Sequence, residues 1–222
     1  MPKTKTAPDR DALKRIGAAV RNRLADDPRA YRVPTDKLEL YGFGDFLTAD
    51  ECARLVAMID AIAKPSALFK VDYGSGFRTS FSSDLDPHEP LVKGISRRID
   101  DLLGLKAETG EAVQGQRYLP GQEFKPHNDW FYPEEEYWKV ERKRGGQRSW
   151  TAMAFLNAVE EGGDTHFTNA GLAIAPQPGA LLAWNNADPS GICNEDTIHA
   201  GTPVLAGKKY IITKWYRTRK WG

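Results

Sequence analysis

Beyond Glu108 the chain breaks into short runs of apolar and β-branched residues separated by turns. The runs are Ala112–Tyr118, Trp150–Leu156, Leu172–Ala175, Ala180–Trp184 and Lys209–Trp215, and Gly, Pro, Asn and Asp fill the gaps. β-branched and aromatic side chains suit a pleated, half-buried surface, and Gly and Pro punctuate it. Twenty Gly and 14 Pro in 222 residues supply turns at the density that a sandwich or jelly roll requires.

Helical patterns come first. Leu13, Ile16, Val20 and Leu24 recur at helical spacing from Asp9 until Asp26-Asp27-Pro28 ends the pattern. Lys37–Phe43 reads as a strand. Thr48-Ala-Asp-Glu51 is a capping box, and the helix it opens carries Leu55, Val56, Ile59 and Ile62 on one stripe. Leu91, Ile95, Ile99 and Leu102 mark a third helix, stopped by Gly104. The class is therefore α+β. Residues 1–30 are expected to form an N-terminal extension with a basic helix, led by a disordered stretch at 1–8, and residues 31–222 one domain.

Thirty-one Lys and Arg balance 30 Asp and Glu, so nothing global points to nucleic acid or an anionic membrane. Lys14, Arg15, Arg21 and Arg23 on the first helix read as a solvated face. The N-terminus lacks an apolar signal region and no 18-residue apolar run occurs, so a cytoplasmic location is expected. Cys52 and Cys193 are read as free thiols in a reducing compartment.

Two stretches look like loops around a site. Val71–Ser80 is rich in Gly and aromatics, but its glycines lack phosphate-loop spacing. Phe131–Gly146, with Glu134-Glu-Glu136, Trp138 and Lys139–Arg144, is too charged for a core strand and is expected at the mouth of a site.

The chemistry centres on His127-Asn-Asp129. In an extended strand, side chains two apart share a face, so the imidazole and the carboxylate converge. Together they are two thirds of the 2-His-1-carboxylate face that holds non-haem Fe(II) with positions left open. Of the other histidines, His88 lies in a turn-like Asp-Pro-His-Glu-Pro, His166 is undecided by position, and His199 stands just before the last strand. Ten positions after His199 comes Lys209. A site that merely stored an ion has no need of that cation. One that chelates a dicarboxylate does, because the remote carboxylate must be paired when it leaves water.

His-x-Asp, then His199, then Lys209 resembles the Fe(II)/2-oxoglutarate dioxygenases, most closely the prolyl 4-hydroxylase-like group. Arg117-Tyr118-Leu-Pro-Gly-Gln leading into Pro126-His-Asn-Asp is similar to the group's approach to its first ligand pair. Thr151-Ala-Met-Ala-Phe-Leu-Asn157 and Val159-Glu-Glu-Gly-Gly-Asp-Thr165 are similar to its central strands, and His199-Ala-Gly-Thr-Pro-Val-Leu to its closing segment. The likeness spans roughly residues 37–217. It implies a double-stranded β-helix (a cupin-like jelly roll) with N-terminal helices packed on it.

The resemblance implies His127, Asp129 and His199 as iron ligands. Lys209 would pair the far carboxylate of 2-oxoglutarate, with Tyr118 and Thr165 as hydrogen-bond partners, and Arg148 and Trp215 would meet the substrate. Each of the last four has a plainer alternative: interior packing for Tyr118 and Trp215, β-branching for Thr165, a surface salt bridge for Arg148. The implied cofactors are Fe(II), 2-oxoglutarate and O2, with ascorbate as an accessory. The implied outcome is hydroxylation with release of succinate and CO2, since related halogenases lack the carboxylate that Asp129 supplies. A prolyl residue in a peptide or protein is the expected substrate. Phe124 stands where prolyl hydroxylases often carry a Tyr, which removes one polar contact to such a substrate. The alternatives are a free amino acid or other small molecule, and a cupin-like metal-binding module without oxygen chemistry. Repair oxygenation of nucleic acid would need a basic groove, for which the charge balance gives little support. The sequence does not specify an oligomeric state.

Overall fold

The computed structural model describes residues 7–67 and 76–222. Most of the lead-in (residues 1–6) and the first half of the Gly-rich stretch (residues 71–75) lie outside the described residues.

The chain opens with α1 (Arg10–Ala25), capped by the Asp9 carboxylate, which accepts from the Ala12 N–H at 3.1 Å. Then come β1 (Tyr31–Arg32), β2 (Leu40–Phe43) and α2 (Ala49–Ile62). The capping box of α2 is formed in both directions between Thr48 and Glu51. β3 (Lys64–Pro65) and β4 (Phe81–Asp84) precede α3 (Pro90–Leu103), which ends on Gly104 at φ 65°. A left-handed cap of this kind is one that glycine adopts without steric cost. β5 (Gln114–Tyr118), β6 (Phe124–His127), the short α4 (Trp138–Glu141) and β7 (Arg148–Phe155) follow. The remaining strands are β8 (Glu161–Gly162), β9 (Thr165–Phe167), β10 (Leu172–Ile174), β11 (Leu181–Asn185), β12 (His199–Gly201), β13 (Val204–Ala206) and β14 (Lys209–Arg217), with one 3-10 turn at Glu195–Thr197 before β12.

Eight strands form one sheet in the order β1-β2-β11-β7-β14-β5-β4-β3, and four form a second in the order β10-β9-β12-β6. β13 and β8 make a small ribbon. The period-2 alternation of the central strands separates two apolar layers. Trp150, Ala152 and Ala154 of β7, with Tyr210, Ile212 and Tyr216 of β14, meet the helices through Val20, Leu55, Ile59, Ile95 and Ile99. Met153 and Phe155 of β7, Leu182 and Trp184 of β11 and Ile211 of β14 face the second sheet and Phe167. Each such side chain taken fully from water contributes about 1.5–3 kcal/mol before entropy is counted. Two antiparallel sheets joined through one apolar layer make the jelly roll that the turn density predicts.

That alternation also decides which side chains reach the interior of the roll. Lys209, Ile211, Thr213 and Trp215 of β14, and Gln116 and Tyr118 of β5, line one inner cavity. The first helix packs on the main core: Val20 and Leu24 are buried in it, while Arg21 pairs with Glu39 and Arg23 donates to the carbonyl oxygen of Leu102. Among the described residues no helix is long and apolar enough to cross a membrane.

Candidate active site

β6 and β12 run antiparallel with His127 directly opposite His199. Their ring centroids are 4.4 Å apart. Each Nδ1 faces a backbone carbonyl oxygen two residues earlier, that of Lys125 at 2.8 Å and that of Thr197 at 2.9 Å. An Nδ1–H donated to those carbonyls leaves each Nε2 with a free lone pair. The Phe124 ring stacks on His127 at 3.5 Å between centroids and 16° between planes.

Asp129 arrives differently from the expectation. β6 ends at His127, and Asp129 lies beyond it in a bend rather than in an extended strand. The bend still returns its carboxylate to the pair, with Oδ2 4.0 Å from His199 Nε2. The Thr151 hydroxyl donates to that same Oδ2 at 2.8 Å and accepts from the Asn186 amide at 2.9 Å, which fixes the carboxylate from behind. One ligand atom from each of the three residues falls within 4.8 Å of the others. Loss of water around the ring, then the neighbouring His199, push His127 down to about 3, so it is a neutral imidazole at physiological pH. Burial alone would raise Asp129, but His199, Arg148 and His127 hold its carboxyl below the usual range.

Two cavities meet at His127 and Asp129, and His199 lines the inner one. The inner one, about 40 Å³, runs back between the sheets past Tyr118, Thr165 and Trp184 to Lys209. Lys209 is 1% exposed. Its ammonium has one hydrogen bond, to the Thr165 hydroxyl at 3.5 Å, and otherwise faces the rings of Tyr118 (5.5 Å) and Phe155 (5.8 Å). Among the described residues it has no carboxylate in ion-pair range, and desolvation pushes it down to about 7. Tyr118 is its cross-strand partner and donates its hydroxyl to Gln116 at 2.8 Å.

The outer cavity, about 570 Å³, opens on the other side of the triad. Arg148 and Trp215 both line it. Arg148 is half-buried in the cavity wall, its side chain 12% exposed, rather than a surface residue. Its fork is bidentate on Glu111 at 2.7 and 2.9 Å, its Nη1 is 3.8 Å from Asp129, and its guanidinium lies 4.1 Å over the Trp215 ring. Glu111 in turn meets Arg217 at 2.6 Å, and Arg217 pairs with Glu141 of α4. A ladder of alternating charge thus connects α4 to Asp129. Burial alone would raise Glu111, yet the two guanidinium groups hold its carboxyl below the usual range.

Sequence reasoning left out Arg78, which lines both cavities beside Phe124. Its guanidinium sits 4.6 Å over the Phe124 ring and donates to Ser80 at 3.1 Å and Ser82 at 3.0 Å. Arg78 lies in the Gly-rich stretch, where no local pattern singles out one Arg. Glu111 and Thr151 were also missed, since each acts through a partner distant in sequence, as was Gln116, which joins its neighbour Tyr118 to Thr213 far along the chain. His166 points away from the site, between inward-facing Thr165 and Phe167, and His88 is an exposed loop residue. Cys52 and Cys193 are both free. The Phe131–Gly146 stretch borders the outer cavity through Phe131, Tyr137 and Arg144, and it is anchored rather than simply solvated. Phe131 and Trp138 are 2% and 3% exposed, and Gln147 bridges both backbone polar groups of Phe131.

Two imidazole nitrogens and one carboxylate oxygen, on one side of a point that opens on two cavities, fit Fe(II) with coordination positions to spare. A jelly roll with that donor set, and an unpaired buried cation behind it, defines the 2-oxoglutarate-Fe(II) oxygenases. The comparisons agree. The 2OG-Fe(II) oxygenase superfamily pattern matches residues 113–217. Probable prolyl 4-hydroxylase 4 of Arabidopsis thaliana is 31% identical over 215 residues, covering 85% of this chain and 70% of that protein. Prolyl 4-hydroxylase 5 of the same plant is 32% identical over 207 residues, covering 80% and 68%. The viral collagen prolyl hydroxylase of Paramecium Bursaria Chlorella virus-1, solved as a 2OG complex, superposes with a TM-score of 0.63 at 28% identity, covering 79% of this chain and 94% of that one. Its fold is the double-stranded β-helix described above. The chain belongs to the prolyl 4-hydroxylase family of 2-oxoglutarate-Fe(II) dioxygenases. Its cofactors are Fe(II), 2-oxoglutarate and O2.

Proposed function

We propose that this dioxygenase hydroxylates a prolyl residue held in a peptide or protein, with His127, Asp129 and His199 as the iron ligands. The observation that carries the co-substrate assignment is Lys209, a buried ammonium with no carboxylate partner at the blind end of the inner cavity. Burial of an unpaired charge costs several kcal/mol, so such a group is retained where a ligand supplies the counter-charge. The distal carboxylate of 2-oxoglutarate supplies it here, with Thr165 and Tyr118 beside it. Bound at the triad, Fe(II) supplies the redox chemistry that couples decarboxylation of 2-oxoglutarate by O2 to C–H hydroxylation, giving succinate and CO2.

The chain's own residues do the rest. The backbone carbonyls of Lys125 and Thr197 fix both imidazole tautomers, and Thr151 fixes the carboxylate. Phe124, Trp184 and Phe155 keep the inner space dry, which strengthens the Lys209 contact. Arg148, locked by Glu111, and Trp215 form the wall that orients a substrate over the triad. The breadth of the outer cavity and its aromatic lining (Phe77, Trp130, Phe131, Tyr137, Trp215) favour a peptide over a free amino acid. The viral and plant relatives named above are prolyl hydroxylases, which supports proline as the target. Phe124 offers no hydroxyl to it, so orientation falls to Arg148 and Arg78. Ascorbate fits the same reading as a reductant that keeps the iron ferrous.

The test is succinate release from the Fe(II)-loaded protein over pools of proline-containing peptides and free amino acids, with mass spectrometry for the gain of one oxygen. Oxygen on a peptidyl proline supports the reading. Oxygen only on a free amino acid replaces the substrate class, and turnover that survives His127→Ala removes the iron assignment.

A further inference from the structure

The outer cavity is electrically lopsided. Its charged lining comprises Arg78, Arg144 and Arg148 against Asp84, Glu111 and Asp129. Glu111 is committed to Arg148 and Arg217, and Asp129 to the triad. Among the described residues Arg78, Arg144 and Asp84 form no ion pair. Arg78 is half-buried, stacked on Phe124 and bonded to Ser80 and Ser82, so the exposed charges at the rim are Arg144 and Asp84.

Arg144 is built into its place. Its guanidinium lies 5.1 Å over the Trp221 ring, and Trp221 lines the same cavity. The tail that carries Trp221 is zipped to the end of the loop that carries Arg144. The Thr218 N–H donates to the Gln147 oxygen at 2.9 Å, the Arg219 N–H to the Gly145 oxygen at 3.0 Å, and the Trp221 N–H to the Glu108 oxygen at 2.9 Å. Exposed Lys143, Arg219 and Lys220 flank this seam and add to its positive potential. A guanidinium resting on an indole loses side-chain freedom in advance, and one edge is left to accept a carboxylate in bidentate fashion.

Asp84 stands elsewhere. It ends β4, which adjoins β5, then β14, then β7, the strand that Arg144 leads into. Three strand spacings, roughly 14 Å, separate β4 from β7 across the sheet, and the row of Asp84 meets β7 at Met153, well along the strand from Arg148, so the two charges lie farther apart than that.

Resting on the peptide reading above, we propose that Arg144 on Trp221 is a specificity subsite for an acidic residue flanking the target, on one side of it only. An acid on that flank meets Arg144 and the basic seam, whereas an acid on the opposite flank meets Asp84. The partner is thus a polypeptide with a carboxylate a few residues to one side of the hydroxylated position.

The test uses the full chain loaded with Fe(II) and 2-oxoglutarate, and a set of peptides sharing one neutral proline-containing core. Glu or Lys is placed on the N-terminal or the C-terminal flank, and kcat/KM is read from succinate release and oxygen incorporation. Glu on one flank is expected to raise kcat/KM about three- to tenfold over the neutral peptide, mainly through KM, and Lys there to lower it, as for a partly shielded ion pair. Rising salt shrinks the difference. Arg144→Ala brings the ratio near one, and Arg144→Glu reverses it in favour of Lys, a swap that loss of folding does not produce. Equal kcat/KM for all flanks, with the neutral core turned over, overturns the inference and leaves the prolyl hydroxylase reading standing. So does a Glu preference that survives both Arg144 variants. If no peptide is oxidised while 2-oxoglutarate binds, the peptide reading falls and this inference falls with it.

Discussion

His127 and His199 face each other across one antiparallel pair, each with its Nδ1 turned back onto a carbonyl oxygen of its own chain. The two imidazoles therefore reach one point with their Nε2 atoms without help from any long-range side chain. Asp129 is less self-sufficient, because it lies past the end of β6 and depends on the Thr151 hydroxyl. Thr151→Val keeps the shape and removes that hydrogen bond. Iron affinity is expected to fall about 10–100-fold, the range typical of an outer partner of a metal ligand, with the fold intact. His127→Ala is expected to lose more than that and to abolish succinate formation. Competition titration against a coloured chelator, alongside circular dichroism, separates the two.

Lys209 couples pH to co-substrate binding. Its ammonium is held only below about pH 7 in the free protein, and 2-oxoglutarate needs the charged form. The dissociation constant for 2-oxoglutarate is therefore expected to rise with pH above that point, towards about tenfold per unit, since each binding event must first restore a proton. Isothermal titration across pH 6–9 in buffers of different ionisation heat measures both the slope and the proton uptake. A flat profile with no uptake contradicts the assignment.

The same group has the opposite effect on the fold. The unfolded chain keeps the proton up to about 10.5, whereas the folded chain releases it near 7. Between those values the unfolded state binds more protons, so the contribution of this group to stability rises with pH. Lys209→Met removes the buried charge and keeps most of the volume. The expected outcome is a more stable apoprotein at pH 7, without that rise, and without measurable 2-oxoglutarate binding. Denaturant midpoints at several pH values check it.

Much of the fold was legible because its core strands carry their own pattern. β7, β11 and β14 are dominated by apolar, aromatic and β-branched residues, and all three were predicted within two residues of their limits. The three long helices were equally plain from spacing and caps, including the Thr48–Glu51 box. The strands that hold the site were not. β12 is His-Ala-Gly, β6 is Phe-Lys-Pro-His and β9 is three residues, too short and too polar for periodicity to register. Their pairing is set by the roll as a whole. Ligand identity was nonetheless readable, because donor chemistry restricts residue type. The residues that tune the ligands, Thr151, Glu111 and Arg78, were not readable, because a Thr or an Arg serves many ends and only the tertiary fold shows which.

Glu111 is the hub of the ladder, serving Arg148 and Arg217 together with little exposure of its own. Glu111→Gln preserves the shape but leaves two guanidinium groups sharing one fewer negative charge. Breaking a buried pair from one side typically costs about 3–5 kcal/mol, so the variant is expected to lose stability on that scale. An unchanged denaturant slope with a lower midpoint identifies this as a loss of native-state energy. Peptide KM is expected to rise as well, since Arg148 loses the partner that orients it, while 2-oxoglutarate affinity stays close to that of the parent.

Gly146 separates the docking of the C-terminal tail from the iron chemistry. It sits at φ 80°, and a Cβ built there falls 2.4 Å from the Thr218 hydroxyl oxygen. Alanine at this position therefore carries two burdens: a left-handed backbone costing about 1–2 kcal/mol, and a clash with the tail that Gly145 and Gln147 hold by hydrogen bonds. The tail is the weaker body and yields first. Gly146→Ala is expected to expose residues after Arg217 to limited proteolysis and to free Trp221 from Arg144, which a change in tryptophan fluorescence reports. Neither the triad nor Lys209 touches the seam, so Fe(II) and 2-oxoglutarate affinities are expected to match those of the parent. If the tail stays protected and the fluorescence is unmoved, the glycine is not what allows it to dock.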